Sequence, residues 1–260
     1  MSGAAPIALV LLPGMDGTGV LFAPFLRALP DWVTPIVVSY PPDRPLDYPE
    51  HLAYVMTALP ADRPFVILGE SFSGPLALLA AAQHPPGLRG VILCATFVTW
   101  PLPIPPIIAR LAVAMGASRL KSTRLFQRLV FGGADAELRQ LAAAALARLT
   151  PAVLDARARA VMVIDCTAEL RSCPVPVLTL VADHDRIIPG QCPALMQRIR
   201  PDITVLHFNA PHLILQSTTS EACTQICLFL QSIQKKVDQR GMHNKIPEPC
   251  SKDLPCTDTK

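Results

Sequence analysis

A serine in a tight turn between an apolar segment and a helical segment is the first candidate for chemistry in this chain. The apolar run Val66-Ile67-Leu68 leads directly into Gly69-Glu70-Ser71-Phe72-Ser73-Gly74, and a helical pattern follows from Pro75. Such a strand-to-helix turn lifts a serine hydroxyl above the end of a sheet, where it can act as a nucleophile. The small residues Gly69 and Ser73 suit a turn in which strand and helix approach closely. Ser71 is therefore the candidate nucleophile.

A serine nucleophile needs a base and an acid that orients the base. The apolar run Val175–Val181 is followed by Asp183 and Asp185, and either can be the acid. The run Thr204–Phe208 is followed by His212, the candidate base. Taken singly, the aspartates also fit helix caps or turn residues, and a lone histidine is usually structural. Together they follow the chain order Ser, Asp, His, each after a predicted strand, at the edge where open α/β sheets place their sites.

The same chemistry needs backbone donors for the oxyanion that forms at the substrate carbonyl. The predicted strand Ile7–Leu12 runs into Pro13-Gly14-Met15-Asp16-Gly17-Thr18-Gly19. The backbone N–H of Met15 is the first candidate donor and that of Phe72, directly after the nucleophile, is the second. One such donor contributes about 3 kcal/mol in the transition state. A generic turn or a phosphate loop is the alternative, but the Gly-Lys-Ser/Thr of a nucleotide-binding loop is absent.

The elements that must position these residues alternate between strand and helix. Continuous apolar runs without alternation predict buried parallel strands, and the helical patterns between them predict a doubly wound α/β sheet. The predicted strands are Ile7–Leu12, Pro35–Ser39, Phe65–Leu68, Gly90–Cys94, Val175–Val181 and Thr204–Phe208. The predicted helices are Leu21–Leu29, Tyr48–Leu59, Pro75–Gln83, Cys192–Arg198 and Thr219–Lys235.

A helical lid is predicted between the fourth and fifth strands, where the chain carries only helical signals. The predicted lid helices are Ile107–Met115, Leu120–Val130, Ala136–Leu149 and Ala152–Cys166. We therefore expect one domain over residues 1–235, with a core of 6–99 and 173–235 and a cap of 100–172. Residues 236–260 contain almost no large apolar side chains and are expected to form a disordered tail.

Composition narrows the class of protein. The chain of 260 residues is 51% hydrophobic and 17% charged, which predicts a large core, an apolar ligand cleft, or both. A net charge of +3 does not indicate a nucleic-acid partner. No segment resembles a membrane-spanning helix or a secretory signal, so a cytoplasmic location is expected. The eight cysteines show no zinc-binding spacing and suit small core residues in a reducing compartment.

The chain resembles the α/β-hydrolases from Ile7 to about Gln234. The run Leu12–Gly19 is similar to the family's H-G-x-x-G oxyanion loop, with Pro13 in place of the histidine. The serine turn resembles the family's G-x-S-x-G nucleophile elbow, with Ser73 at the fifth position and Gly74 after it. The family's two leading antiparallel strands have no counterpart, because the first predicted strand begins at Ile7.

The acid and the base also have counterparts in this family. Ala182-Asp183-His184-Asp185-Arg186-Ile187-Ile188-Pro189 is similar to G-x-x-D-x-x-V-P, and that register selects Asp185 as the acid. Ala210-Pro211-His212-Leu213 is similar to G-x-H-x around the base. A serine nucleophile argues against the dehalogenases and epoxide hydrolases, which use aspartate. The resemblance therefore implies an α/β-hydrolase fold with a helical cap.

The expected activity is hydrolysis of a small-molecule carboxylic ester by Ser71, His212 and Asp185, without metal or cofactor. A thioesterase or an acyltransferase would use the same three residues, and a non-catalytic small-molecule-binding protein of the same fold is the alternative of another class. A basic stretch in the predicted lid suits either a solvated face or a docking surface for an acyl group on an acidic carrier protein. Its residues are Arg119, Lys121, Arg124 and Arg128.

Overall fold

The core of the structure is a six-stranded parallel sheet. A computed structural model of the protein describes residues 7–102, 104–105, 107–108 and 136–243, with side chains described as far as Lys235. The strands are β1 (Ile7–Leu12), β2 (Val33–Val37), β3 (Phe65–Glu70), β4 (Leu88–Cys94), β5 (Val177–Ala182) and β6 (Thr204–Phe208). They lie in the order β2-β1-β3-β4-β5-β6, and every neighbouring pair is parallel.

The central strands β1 and β3 are apolar except for Glu70 at the end of β3, because both faces of the sheet are covered. Every residue of β1 and β3 is buried. Successive side chains alternate between two clusters, so that Val10 and Ile67 belong to one cluster while Leu9 and Leu68 belong to the other. Two-sided burial explains why the sequence shows continuous apolar runs at these strands and no alternation with polar residues.

Helices cover both faces, which makes the sheet doubly wound as predicted. The helices of the core are α1 (Ala23–Ala28), α2 (Tyr48–Ala58), α3 (Gly74–Ala82), α7 (Gln191–Ile199), α8 (Ile214–Ser217) and α9 (Thr219–His243). Residues of α2, α3 and α7 pack into the cluster on one face, and residues of α1, α8 and α9 pack into the cluster on the other face. None of the helices in the described ranges is long and apolar enough to cross a membrane.

Three further helices follow β4 before the chain returns to the sheet at β5. They are α4 (Ala136–Ala147), α5 (Pro151–Val161) and α6 (Thr167–Ser172). Leu138 and Ala142 of α4 pack on Leu21 and Leu213, which flank the Pro13–Gly19 loop and His212 respectively. The predicted lid helix Leu120–Val130, most of Ile107–Met115 and all four basic residues of the candidate carrier surface lie outside the described residues.

The six predicted strands are present, and the differences lie at the ends of elements. Strand β2 begins two residues before the predicted Pro35 and places that proline in an edge strand, where a missing N–H is tolerated. The predicted helix Ala152–Cys166 ends at Val161. Beyond it, Asp165 pairs with Thr99 in a β-bridge, and its carboxylate accepts the N–H of Thr167 at the start of α6. Helix α9 continues to residue 243, so the first eight residues of the predicted tail are helical.

Arg200, at the end of α7, joins this helix to the segment that enters β5. Its guanidinium donates to the carbonyl oxygens of Cys173 at 2.7 Å and Val175 at 3.0 Å. We expect Arg200→Met to lower the free energy of unfolding by about 2–4 kcal/mol, because two charge-assisted hydrogen bonds are lost. Arg198→Met, at an exposed position of the same helix, should change it by less than about 0.5 kcal/mol. Urea unfolding followed by circular dichroism measures both, and equal effects would contradict this role.

Candidate active site

The turn that carries Ser71 has the strained backbone expected of a nucleophile elbow. Ser71 directly follows β3 and has a φ of 52°, in the left-handed region that few non-glycine residues adopt. A short 3-10 turn, Ser71–Ser73, then leads into α3. A Cβ on Gly69 would collide with the backbone carbonyl of Ser73 and lie 2.9 Å from the Cα of Gly74. Glycine is therefore required at position 69 because strand and helix approach too closely for a side chain.

The structure brings the serine, the histidine and one aspartate together at the carboxyl edge of the sheet. His212 lies in the loop after β6, and its Nε2 is 2.8 Å from the hydroxyl oxygen of Ser71. Its Nδ1 is 2.7 Å from Oδ2 of Asp185. The carboxylate can only accept, so Nδ1 carries the proton and Nε2 is left to accept the hydroxyl proton of Ser71. The side chains of His212 and Asp185 are each only 5% exposed.

The two aspartates after β5 have different surroundings. Oδ1 of Asp185 accepts the backbone N–H groups of Ile187 at 2.8 Å and Ile188 at 2.9 Å, which leaves Oδ2 directed at the histidine. Asp183 instead pairs with His207 at 2.8 Å on the surface, with 45% of its side chain exposed. Of the two candidates that the strand end offered, Asp185 alone contacts His212.

The glycine-rich loop after β1 lies beside the serine. A Cβ on Gly14 would be 3.7 Å from the Cβ of Ser71, so the backbone of the loop passes next to this candidate nucleophile. The N–H of Gly17 donates to the carbonyl of Gly14 at 3.0 Å, which closes a tight turn around Met15. Phe72, the second candidate donor, follows Ser71 directly and is fully buried under the stacked ring of Tyr48. These positions fit the two N–H groups predicted to face an oxyanion.

Ser73, where the usual motif has glycine, joins the elbow to this loop. Its buried hydroxyl donates to the carbonyl oxygen of Pro13. The hydroxyl of Tyr40 lies 2.8 Å away. Because the single proton of Ser73 goes to Pro13, Tyr40 must be the donor in the second hydrogen bond. The fifth position of the motif therefore carries a hydroxyl that glycine could not supply.

Glu70, directly before Ser71, is a buried carboxyl group. Only 3% of the residue is exposed, and its Oε1 accepts from the amide of Gln216 at 3.0 Å. Burial raises its pKa to about 7, with a further contribution from the nearby Asp16 carboxylate, while the Gln216 hydrogen bond and the charge of His212 act in the opposite direction. Glu70 therefore changes charge near neutral pH, close to the serine and the histidine.

Sequence reasoning missed three contributors to this site. Tyr40, Gln216 and Arg157 are buried polar residues that contact the elbow or the glycine-rich loop. They come from a loop after β2, from α8 and from the helix α5, and no local pattern marks them. The departure at Ser73 was the one visible signal. Within the described part of the chain, no group of three or more acidic, histidine or cysteine side chains could hold a metal ion.

Removal of the Ser73 hydroxyl tests its role in holding the loop. Ser73→Ala leaves the buried Pro13 carbonyl and the Tyr40 hydroxyl without partners, so we expect the free energy of unfolding to fall by about 1–3 kcal/mol. Ser39→Ala, which removes an exposed hydroxyl bonded to the carbonyl of Thr18 on the same loop, should cost less than about 0.5 kcal/mol. Chemical denaturation measures both variants. An effect of Ser73→Ala no larger than that of the control would refute the role of Ser73 in joining the elbow to the loop.

The buried carboxyl of Glu70 predicts a pH-dependent stability. The folded state holds this proton up to a pKa of about 7, whereas the unfolded chain releases it near 4.5, so the fold loses stability as pH rises between these values. Glu70→Gln removes this loss. As pH rises from 4.5 to 8, the free energy of unfolding of the variant should therefore increase by on the order of 3 kcal/mol relative to that of the wild type. For the exposed control Glu221→Gln, the difference in free energy of unfolding from the wild type should be nearly independent of pH. Denaturation at several pH values provides the measurement, and a constant difference for Glu70→Gln would contradict the account.

Comparison with known proteins agrees with the fold. Residues 9–225 match the model of the alpha/beta hydrolase family. The polyketide synthase ThaQ of Burkholderia thailandensis is 32% identical in an alignment of 197 positions, which covers 67% of this chain but only 9% of that much longer protein.

Solved structures of esterases share the architecture at low sequence identity. A carboxylesterase from the thaumarchaeon Nitrososphaera gargenis superposes with a TM-score of 0.74 at 15% identity, over 91% of this chain and 94% of that one. The esterase EaEST of Exiguobacterium antarcticum gives 0.73 at 16% identity, over 86% and 91% of the two chains. An enol-lactonase from Burkholderia xenovorans gives 0.71 at 18% identity, over 88% and 92%. With the family model matched along most of its length, the chain belongs to the alpha/beta hydrolase family.

Proposed function

We propose that this protein hydrolyses carboxylic esters through an acyl-enzyme on Ser71. The observation that carries the proposal is the imidazole of His212, hydrogen-bonded to Ser71 on one side and to Asp185 on the other. This arrangement provides a nucleophile, a base and an orienting acid in hydrogen-bond reach of one another. The solved esterases of the same fold support an ester as the substrate class.

In the first half of the reaction, the hydroxyl oxygen of Ser71 attacks the carbonyl carbon of the ester while its proton passes to Nε2 of His212. Asp185 stabilises the imidazolium that results, and the N–H groups of Met15 and Phe72 bind the oxyanion of the tetrahedral intermediate. The imidazolium then gives its proton to the alkoxy oxygen. The C–O bond breaks, the alcohol leaves, and the acyl group stays on Ser71.

In the second half, water replaces the alcohol. His212 takes a proton from the water molecule as its oxygen attacks the acyl carbon, and the same donors hold the new oxyanion. Return of the proton to the Ser71 oxygen breaks the acyl-enzyme bond, and the carboxylic acid is released. No redox step occurs, and every proton is carried by His212, so the proposed reaction uses no metal or cofactor.

A thioester is the second candidate substrate. The same three residues attack a thioester carbonyl with a thiolate as the leaving group, and an alcohol in place of water would make the reaction an acyl transfer. The similarity to a stretch of the polyketide synthase ThaQ is the observation that supports a thioester as the second candidate. Assays with matched oxygen esters and thioesters of one acyl group, with and without an added acceptor alcohol, separate the three reactions.

Ser71→Ala tests the nucleophile. We expect kcat/KM with p-nitrophenyl esters of graded chain length to fall by at least about 10⁴-fold, because no acyl-enzyme can form. The variant should keep the fold, since alanine differs from serine only by the hydroxyl. Steady-state kinetics after a circular dichroism check provides the measurement. Undiminished hydrolysis by the folded variant would sink the proposal.

The two aspartates after β5 provide a matched pair of variants. Asp185→Asn replaces the acceptor for the histidine Nδ1–H by an amide, which favours the wrong tautomer, and we expect kcat to fall by about 10³–10⁴-fold. Asp183→Asn changes a carboxylate of the same turn that bonds His207 on the surface, and kcat should stay within about twofold of the wild type. Pre-steady-state and steady-state ester kinetics compare the two, and similar losses in both variants would contradict the assignment of Asp185.

A further inference from the structure

The glycine-rich loop after β1 is held from the cap side by one buried arginine. Arg157 lies on α5, and none of its surface is exposed. Its Nη1 donates to the carbonyl oxygen of Met15 at 2.8 Å, and its Nη2 donates to the carbonyl oxygen of Pro41 at 3.4 Å. A helix 142 residues away in sequence thereby contacts the loop through a charged side chain.

The loop is shaped to receive this guanidinium. Gly17 has a φ of 68°, which favours glycine, and a Cβ at this position would lie 2.5–2.8 Å from the terminal atoms of Arg157, so a side chain here would displace the guanidinium. The guanidinium carbon lies 5.7 Å from the centre of the Tyr40 ring, within the range of a cation–π contact. Tyr40 in turn donates to Ser73 of the elbow. The arginine therefore connects the cap, the loop and the elbow.

The hydrogen bond to the Met15 carbonyl restrains the backbone on one side of that residue, and the turn restrains it on the other. The carbonyl of Gly14 faces the N–H of Gly17 at 3.0 Å. Since the C=O and N–H of a trans peptide point in opposite directions, the Met15 N–H is directed away from the turn. Arg157 fixes the next peptide plane at the Met15 carbonyl. The direction of the Met15 N–H is thus set from both sides.

We propose that Arg157 is a positioning residue that holds the Met15 N–H in place as an oxyanion donor, and that the cap takes part in the reaction through it. The inference rests on the proposed ester hydrolysis by Ser71. Arg157 has no exposed surface and does not touch the substrate. It acts through the backbone of Met15.

A thionoester distinguishes this role from a general contribution to folding. Sulfur is a weak hydrogen-bond acceptor, so a substrate with C=S in place of C=O gains little from an oxyanion donor. A variant with a misplaced donor loses rate on the oxygen ester and little on the thionoester. A variant with a damaged fold loses both in the same proportion, because the fraction of active enzyme falls equally for each substrate.

Arg157→Met and Arg157→Lys should be measured in the full-length protein with a p-nitrophenyl ester and its thiono analogue. For Arg157→Met we expect kcat on the oxygen ester to fall about 10–100-fold with KM within about threefold, and kcat on the thionoester to change by less than about threefold. Arg157→Lys keeps a donor for one carbonyl, and a smaller loss of about 3–10-fold on the oxygen ester is expected. If Arg157→Met does not fold, the lysine variant decides the question.

The control is Arg159→Met, which changes an exposed arginine two residues further along the same helix. It should leave both rates within about twofold of the wild type. Equal losses on the two substrates in the Arg157 variants, or no loss on either, would overturn the inference. A wild-type enzyme without ester hydrolysis, or full activity in Ser71→Ala, would refute the proposed function and this inference with it. The wild type and Ser71→Ala are measured before any Arg157 variant, so failure of the proposed function can be told apart from failure of this inference.

Discussion

His212 can act as a base for Ser71 only while its ring is held between Ser71, which follows β3, and Asp185, which follows β5. The rest of the structure depends on this constraint. Ser71 stands at the end of β3, Asp185 follows β5, and His212 follows β6, yet the two hydrogen bonds of the ring are 2.8 and 2.7 Å long. Parallel strands in register place their carboxyl ends at one edge of the sheet. The parallel pairing of these strands in one sheet is therefore what brings residues 141 positions apart into contact.

Around this contact, the chain adds polar links that tie the elbow to its neighbours. Ser73 bonds the loop at Pro13, Glu70 bonds Gln216 in the helix after His212, and Arg157 reaches the same loop from the cap. Each link is buried. Leaving a buried polar group unpaired costs more free energy than a typical hydrogen bond contributes to stability, so these links are strongly favoured in the folded state. Such links define the positions of these segments more sharply than apolar packing alone does. One of the linked groups, the carboxyl of Glu70 beside Ser71, is sensitive to pH. A serine at the fifth motif position is thus a structural addition to the elbow.

The sequence predicted the strands and the order of the reactive residues, because apolar runs and turn chemistry are local. The choice between Asp183 and Asp185 as the partner of His212 could not be made from the neighbouring residues in the sequence. It follows from a turn in which one carboxylate captures two backbone N–H groups, and family resemblance selected it before the geometry was known. Arg157 and the raised pKa of Glu70 were beyond prediction, since burial of a charged group depends on where distant helices dock. Helix ends depend on distant contacts in the same way, since Asp165, between two helices, pairs with Thr99 and accepts the N–H of Thr167.

The central claim is that Ser71 is the one hydroxyl that this fold activates. The most direct measurement is mass spectrometry of the protein after treatment with a fluorophosphonate, with fragment-level mapping of the adduct. The account predicts a single adduct per chain on Ser71 and none on Ser73, whose hydroxyl is buried and bonded to the Pro13 carbonyl. Absence of any adduct on the folded protein, or an adduct on another residue, would contradict it.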